Sequence, residues 1–256
     1  MNKLHILGLS AVLTLASVSA LAHGDKSRVG IELESPSVVS AGPQSIVFDL
    51  IDNKDKSVLA DKDLALMHEK KVHFFMFDAA LKEFQHIHPE FDGKVWKVVA
   101  ELPVNGEYFV WAQGQLSGDG TDFATFNQIT VKDGTPANAT PADLKEVRTG
   151  SDKESKVTLS KDKLVAGKES MLMVKFTHTD SSAPAITPWL GEMAHLIAVS
   201  SDGDALIHTH TMETSKPNEL MAHAIFAEAG NYRIWVQYMD ANVLRTVPLA
   251  VKVVSK

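Results

Sequence analysis

One histidine pattern occurs twice in this chain and constrains it more than any other feature. His73 is followed by His86 and His88, and His195 by His208 and His210. The spacing H-x12-H-x-H is the same in both copies. Neighbouring segments repeat with it. Ala41-Gly42 matches Ala166-Gly167, and the run from Ser45 to Ile51 matches the run from Ser170 to Phe176. Gly106-Glu-Tyr-Phe-Val-Trp-Ala-Gln113 matches Gly230-Asn-Tyr-Arg-Ile-Trp-Val-Gln237. Such self-similarity marks a tandem duplication, so the fold must be one that a chain can build twice in succession.

Each half is made of short β-rich runs broken by Gly, Pro, Asp or Asn. Thr125–Val131 and Val247–Val253 alternate inward and outward residues as closing strands do. No stretch shows a long helical period, although Lys54–Glu69 allows one helical turn. The expected fold is all-β: two tandem immunoglobulin-like antiparallel β-sandwiches. Trp111 and Trp235 are expected in the core rather than as a binding platform. The expected domains are 23–133 and 156–256, joined by a connector over 134–155 that is rich in Pro and small polar residues.

The N-terminus reads as a secretory leader over residues 1–22. Lys3 precedes an apolar run, and Ala20-x-Ala22 suits a signal peptidase. The run is short for spanning, which takes roughly 20 residues. The expectation is therefore a periplasmic or secreted protein without membrane insertion after cleavage. Cleavage there would make His23 the first residue, able to chelate copper through its α-amino group and imidazole. The formal charge of −7 argues against nucleic acid as a partner. There is no cysteine, so disulfides and thiolate ligands are excluded, and any soft-metal ligand is histidine or methionine.

The spacing has a physical meaning. Residues i and i+2 of a strand share a face, so His86 and His88 present two imidazoles together. Twelve residues suit a strand, a turn and a return strand, with turns at Asp78–Glu83 and Ser200–Asp204. That hairpin would bring His73 to His86 and His88, and His195 to His208 and His210. Three neutral imidazoles suit copper(II) or zinc, and also nickel. His223 lies on an expected neighbouring strand and joins the candidate ligands. Met193, Met212 and Met221 lie close in sequence to the second histidine cluster. Thioethers favour copper(I), but each methionine alone can equally fill a core. The histidines also have a structural reading, in which each imidazole bonds a main-chain carbonyl and holds no metal.

The segments Val72–Glu90 and Gly230–Gln237 resemble a group of bacterial secreted proteins with a "His-Leu … Phe-x-His-x-His-Pro" signature, similar to the YtkA-like immunoglobulin-type domains. The resemblance implies a link to heavy-metal or copper efflux, with a metal efflux or envelope protein as partner. It matches His73, His86 and His88 in the first half and His195, His208 and His210 in the second. The second copy departs at Thr211, where the signature has proline. Three functions stay open: a metal-binding protein for buffering, delivery or resistance, a structural or interaction module without metal, and an enzyme. No G-x-S-x-G, H-E-x-x-H or phosphate loop is present, so only copper oxidase or monooxygenase chemistry would keep the third.

Overall fold

A computed structural model describes residues 21–22, 27–137 and 141–256. The expected leader lies outside the described residues except for Leu21–Ala22, and His23 lies outside them too. The described residues form two β-sandwiches. Among them no helix is long and apolar enough to cross a membrane. The expected helical turn in 54–69 is a single 3-10 turn, Asp61–Asp63.

The strands of the first half are β2 (Val29–Leu33), β3 (Val38–Ser40), β4 (Gly42–Asp52), β5 (Ser57–Val58), β6 (Val72–Asp78), β7 (Phe84–Ile87), β8 (Glu90–Phe91), β9 (Trp96–Leu102), β10 (Gly106–Gln115) and β11 (Asp122–Lys132), after a short β1 (Leu21–Ala22). One sheet runs β2-β4-β9-β8 with β5 at its edge, and the other runs β3-β11-β10-β6-β7. Alternation explains the pairing. β9 buries Trp96, Val98, Ala100 and Leu102 and turns Lys97, Val99 and Glu101 outward. Its buried face meets Tyr108, Val110 and Ala112 of β10 in a single apolar core.

The second half repeats this plan with β12 (Thr149–Asp152), β13 (Ser155–Leu159), β14 (Leu164–Val165), β15 (Glu169–His178), β16 (Ile186–Thr187), β17 (His195–Ser200), β18 (Ala205–Glu213), β19 (Glu219–Ile225), β20 (Gly230–Asp240) and β21 (Val243–Val254). The order β12-β13-β15-β19-β18-β17-β20-β21-β14 is one continuous sheet, whereas the first half has two. The departure at Thr211 accounts for the difference. In the first copy Pro89 separates β7 from β8, because proline has no N–H to give a ladder. In the second copy Thr211 donates its N–H to the Ala194 carbonyl at 3.2 Å. Strand β18 therefore runs unbroken, pairing with β17 along its first part and with β19 along its last.

One boundary and one register differ from the sequence reading. β12 begins at Thr149 and pairs with β13, so the second sheet starts inside the expected 134–155 connector. The register also pairs Ser45 with Val99 and Met171 with His223, so Ser45 corresponds to Met171 and not to Ser170. Matching by residue type misses this by one position, and in a strand one position exchanges the two faces.

The sandwiches dock through the outer faces of β6–β10 and β17–β20. Phe75, Phe77, Leu81, Phe109 and Trp111 of the first pack with Ile197, Val199, Leu206 and Trp235 of the second. Phe84 stacks on Trp235 with ring centroids 4.3 Å apart. Trp111 and Trp235 are thus buried, but between the domains rather than inside either sandwich core. Gly203, at φ +80°, allows close approach: a Cβ there would lie 2.7 Å from Cζ of Phe109.

Candidate metal centre

The same docking brings the two histidine sets together. His73 lies on β6 and His86 on β7, paired in one hairpin. His195 lies on β17, directly opposite His210 of β18, with His208 two residues earlier on that strand. In the first set His73 Nδ1 stands 3.1 Å from His86 Nε2. In the second, His195 Nδ1 stands 3.2 Å from His208 Nε2. The sets also touch each other: the His86 and His208 ring centroids are 5.2 Å apart, and those of His73 and His208 5.0 Å.

The outer ring nitrogens are tied down in the same way in both copies. His73 Nε2–H donates to the Met67 carbonyl at 3.2 Å, and His195 Nε2–H to the Trp189 carbonyl at 3.0 Å. Those carbonyls come from matching two-residue turns, closed by the bridges Met67↔Lys70 and Trp189↔Glu192. His68, Glu69 and Leu190 in these turns hold positive φ of 45°, 66° and 53°. Left-handed backbone at non-glycine residues is uncommon and costs energy, and here it borders the histidines.

The other two tethers cross between domains. His86 Nδ1–H donates to Gln237 Oε1 and His208 Nδ1–H to Gln113 Oε1, each at 3.0 Å. Each glutamine lies on the strand beside its own domain's first histidine, Gln113 opposite His73 and Gln237 opposite His195. Each carboxamide serves the partner domain. Gln237 is held in turn by its Nε2–H, which donates to Thr246 Oγ1 at 3.0 Å.

Burial sets the protonation. His73, His86, His195 and His208 are all less than a tenth exposed. Burial, reinforced by repulsion from neighbouring imidazoles, pushes His73 down to about 3. His86 and His208 are pushed well below the usual imidazole value for the same reasons. Burial brings His195 and His88 to about 4 and His210 to about 2. Neutral rings carry one proton each: the carbonyls of Met67 and Trp189 place it on the outer nitrogen of His73 and His195, and the glutamine oxygens, as oriented, do the same for His86 and His208. His73 Nδ1 and His86 Nε2 then face each other as two lone pairs, as do His195 Nδ1 and His208 Nε2. Neither contact is a hydrogen bond in that state. Two nitrogens 2.0–2.1 Å from a tetrahedral zinc stand about 3.3 Å apart, and cis nitrogens of a square-planar ion about 2.9 Å. The observed 3.1 and 3.2 Å fall between these values.

Three groups have ligand atoms within 4.8 Å of one another: His73, His86 and His208; His195, His208 and His210; and His68, Glu192 and His210. Any of them could hold a metal ion. His208 belongs to the first two and His210 to the last two. The first group takes its third member from the other domain, where the sequence spacing pointed to His88. The His88 ring still lies 5.1 Å from His73 and 4.8 Å from His86, centroid to centroid. Its Nε2 is buried with no partner, as is that of His210. His68 joins the second half's histidines: its Nδ1 is 2.9 Å from Glu192 Oε1 and its ring centroid 3.7 Å from that of His210. His223 stands outside these groups, bonded through Nδ1 to Glu169 Oε1 at 2.9 Å. Met193 packs against the second core, while Met212 is exposed.

Sequence reasoning missed Gln113, Gln237 and Trp189. The glutamines were visible as the last residue of the repeated aromatic strand. Trp189 had no such signal; its indole lies 5.1 Å from His195 and 5.5 Å from His86, walling both sets.

A domain of unknown function, DUF8832, matches residues 23–132 and again 148–255. The chain belongs to this DUF8832 family. The two matches coincide with the two sandwiches. Among curated proteins no relative matches it. Solved structures with some likeness include the fibronectin(III)-like modules of Clostridium thermocellum CbhA, at 15% identity and TM-score 0.25 over 88% of this chain and 94% of that one. The Escherichia coli adhesin FdeC follows at 14% and 0.26 over 92% and 65%. A two-domain titin fragment, A168–A169, gives 10% and 0.23 over 92% and 100%. Scores this low carry no argument about function, and the immunoglobulin-like architecture rests on the strand order above.

Proposed function

We propose that this DUF8832 protein binds a divalent transition-metal ion, copper(II) or zinc, between its two domains. The observation that carries the reading is the pair of short nitrogen–nitrogen contacts, His73–His86 and His195–His208; with the glutamine oxygens accepting from the outer nitrogens, both inner nitrogens are lone pairs. A metal ion is what two such lone pairs can share. Carbonyl and carboxamide acceptors on the outer nitrogens fix ring orientation, as the surroundings of metal-bound histidines commonly do. His73, His86, His195 and His208 form the inner set, with His88 and His210 beside them. His223 is not part of it.

Without an ion the same rings have a second arrangement. Turning the Gln237 carboxamide over makes it the donor to His86 Nδ1. His86 Nε2–H then bonds His73 Nδ1, and the Thr246 hydroxyl follows the turned amide. Metal and proton thus compete for one position. The role that follows is buffering, delivery or resistance rather than turnover. The leader-like N-terminus and the resemblance to YtkA-like proteins near copper efflux systems support a periplasmic or secreted location and an envelope partner that exchanges the ion.

Equilibrium dialysis of the full protein against copper(II) and zinc tests this. Wild type is expected to bind, with the stoichiometry falling in His208→Ala and in His86→Ala/His88→Ala. Unchanged stoichiometry in both variants would leave the histidines as a metal-free fastening between domains.

A further inference from the structure

A second cluster of soft ligands lies on the outer face of the second sandwich. Met171 is paired with His223 across β15 and β19, Met173 with Met221 across the same strands, and Met221 with Met212 across β19 and β18. Buried Leu172, Leu220 and Ala222 alternate with them, so these five side chains point away from the core. Directly opposed residues on one face place their Cβ atoms about 4.5–5.5 Å apart. The flexible thioether arms can therefore gather over one point beside His223.

His223 is prepared as a ligand. Its Nδ1–H donates to Glu169 Oε1 at 2.9 Å, so in the neutral ring Nε2 is the ligand atom. That nitrogen is buried and has no hydrogen-bond partner. The register places Ser45, Val47, Glu90, Lys97 and Val99 where the second domain has Met171, Met173, Met212, Met221 and His223. Four of the nine methionines of the chain thus occur on one outward face of one repeat. Core filling does not account for Met171 and Met212, which are 56% and 45% exposed.

We propose that Met171, Met173, Met212, Met221 and His223 Nε2 form a binding site for a soft monovalent d10 ion, copper(I) or silver(I). Thioethers select such ions over zinc or copper(II), and one imidazole with a carboxylate behind it supplies the harder donor. The site shares no ligand with the interdomain histidines and does not depend on them.

Silver(I) is the probe because it needs no reductant. The full protein, labelled with carbon-13 at the methionine methyl groups, is titrated with silver nitrate in a chloride-free buffer. One equivalent is expected to shift the methyl resonances of Met171, Met173, Met212 and Met221 and to leave Met76 unmoved. Met173→Leu/Met221→Leu conserves volume, so the fold should persist. This variant is expected to lose the one-equivalent silver step while binding zinc as wild type does. Glu169→Gln is expected to weaken silver binding. Methyl resonances that stay fixed would overturn the proposal. So would a silver step that survives Met173→Leu/Met221→Leu but disappears in His208→Ala. Failure of zinc binding in the wild type would bear on the interdomain reading alone.

Discussion

Acid should loosen the metal-free protein through its four most buried histidines. His73 and His195 have native values of about 3 and about 4, and His86 and His208 are pushed down by burial as well. In the unfolded chain each returns to about 6.5. Between those limits the unfolded chain binds protons that the native protein refuses, so stability is complete above about pH 6.5 and drains as pH falls. Going from pH 7 to pH 5 costs about 2 kcal/mol each for His73 and His195, and His86 and His208 add to the loss in the same direction. A domain is typically stable by about 5–15 kcal/mol, so this loss is a large share of the whole. The assay is urea unfolding with chelator at pH 7, 6 and 5, followed by tryptophan fluorescence. Trp111, Trp189 and Trp235 all lie at the interface or the histidines. The midpoint should fall steeply with pH, and less steeply in His86→Phe/His208→Phe. A midpoint that holds steady from pH 7 to pH 5, or the same slope in the double variant, would refute the claim that these rings are buried neutral.

Other outcomes follow from the same contacts. Zinc at a hundred times its dissociation constant should raise stability at pH 7 by about 2.7 kcal/mol, measured by the same unfolding curves. Gln113→Ala and Gln237→Ala should each weaken zinc binding roughly 10–100-fold by calorimetry, because each frees the outer nitrogen of the opposite domain's histidine. Gly203→Ala should destabilise the protein by about 1–3 kcal/mol in thermal melts, since the new methyl meets the Phe109 ring. Thr211→Pro should cost about 1–3 kcal/mol by removing the N–H that bonds Ala194, and should raise amide exchange in β18.

Much of the fold was legible because it depends on period and repetition. Alternation along β11 and β21 and turn residues at regular spacing dictate sandwiches, and the recurring Gly-aromatic strand dictates two of them. The hairpin meeting of His73 with His86 and of His195 with His208 was also readable, since twelve intervening residues suit a strand, a turn and a return. Other features depend on distances that sequence order does not encode. Gln113 reaches His208 and Gln237 reaches His86 only because the sandwiches dock, and docking depends on outward residues such as Phe75, Phe109 and Ile197. In a lone domain these would read as a second apolar face of unknown purpose. For the same reason His208 replaced His88 as the third member of the first group. The one-residue slip at Ser45 shows a different limit: similar residue types align more readily than similar faces.

The crossed glutamines have an evolutionary corollary. One repeat alone would own a pair of imidazoles but not the carboxamide that orients the second ring. An ancestor half this length could complete the arrangement only by meeting another copy of itself head to head. Fusing two copies in a single polypeptide makes that encounter independent of how many molecules are present, and it leaves each half free to acquire surface residues that its sibling lacks.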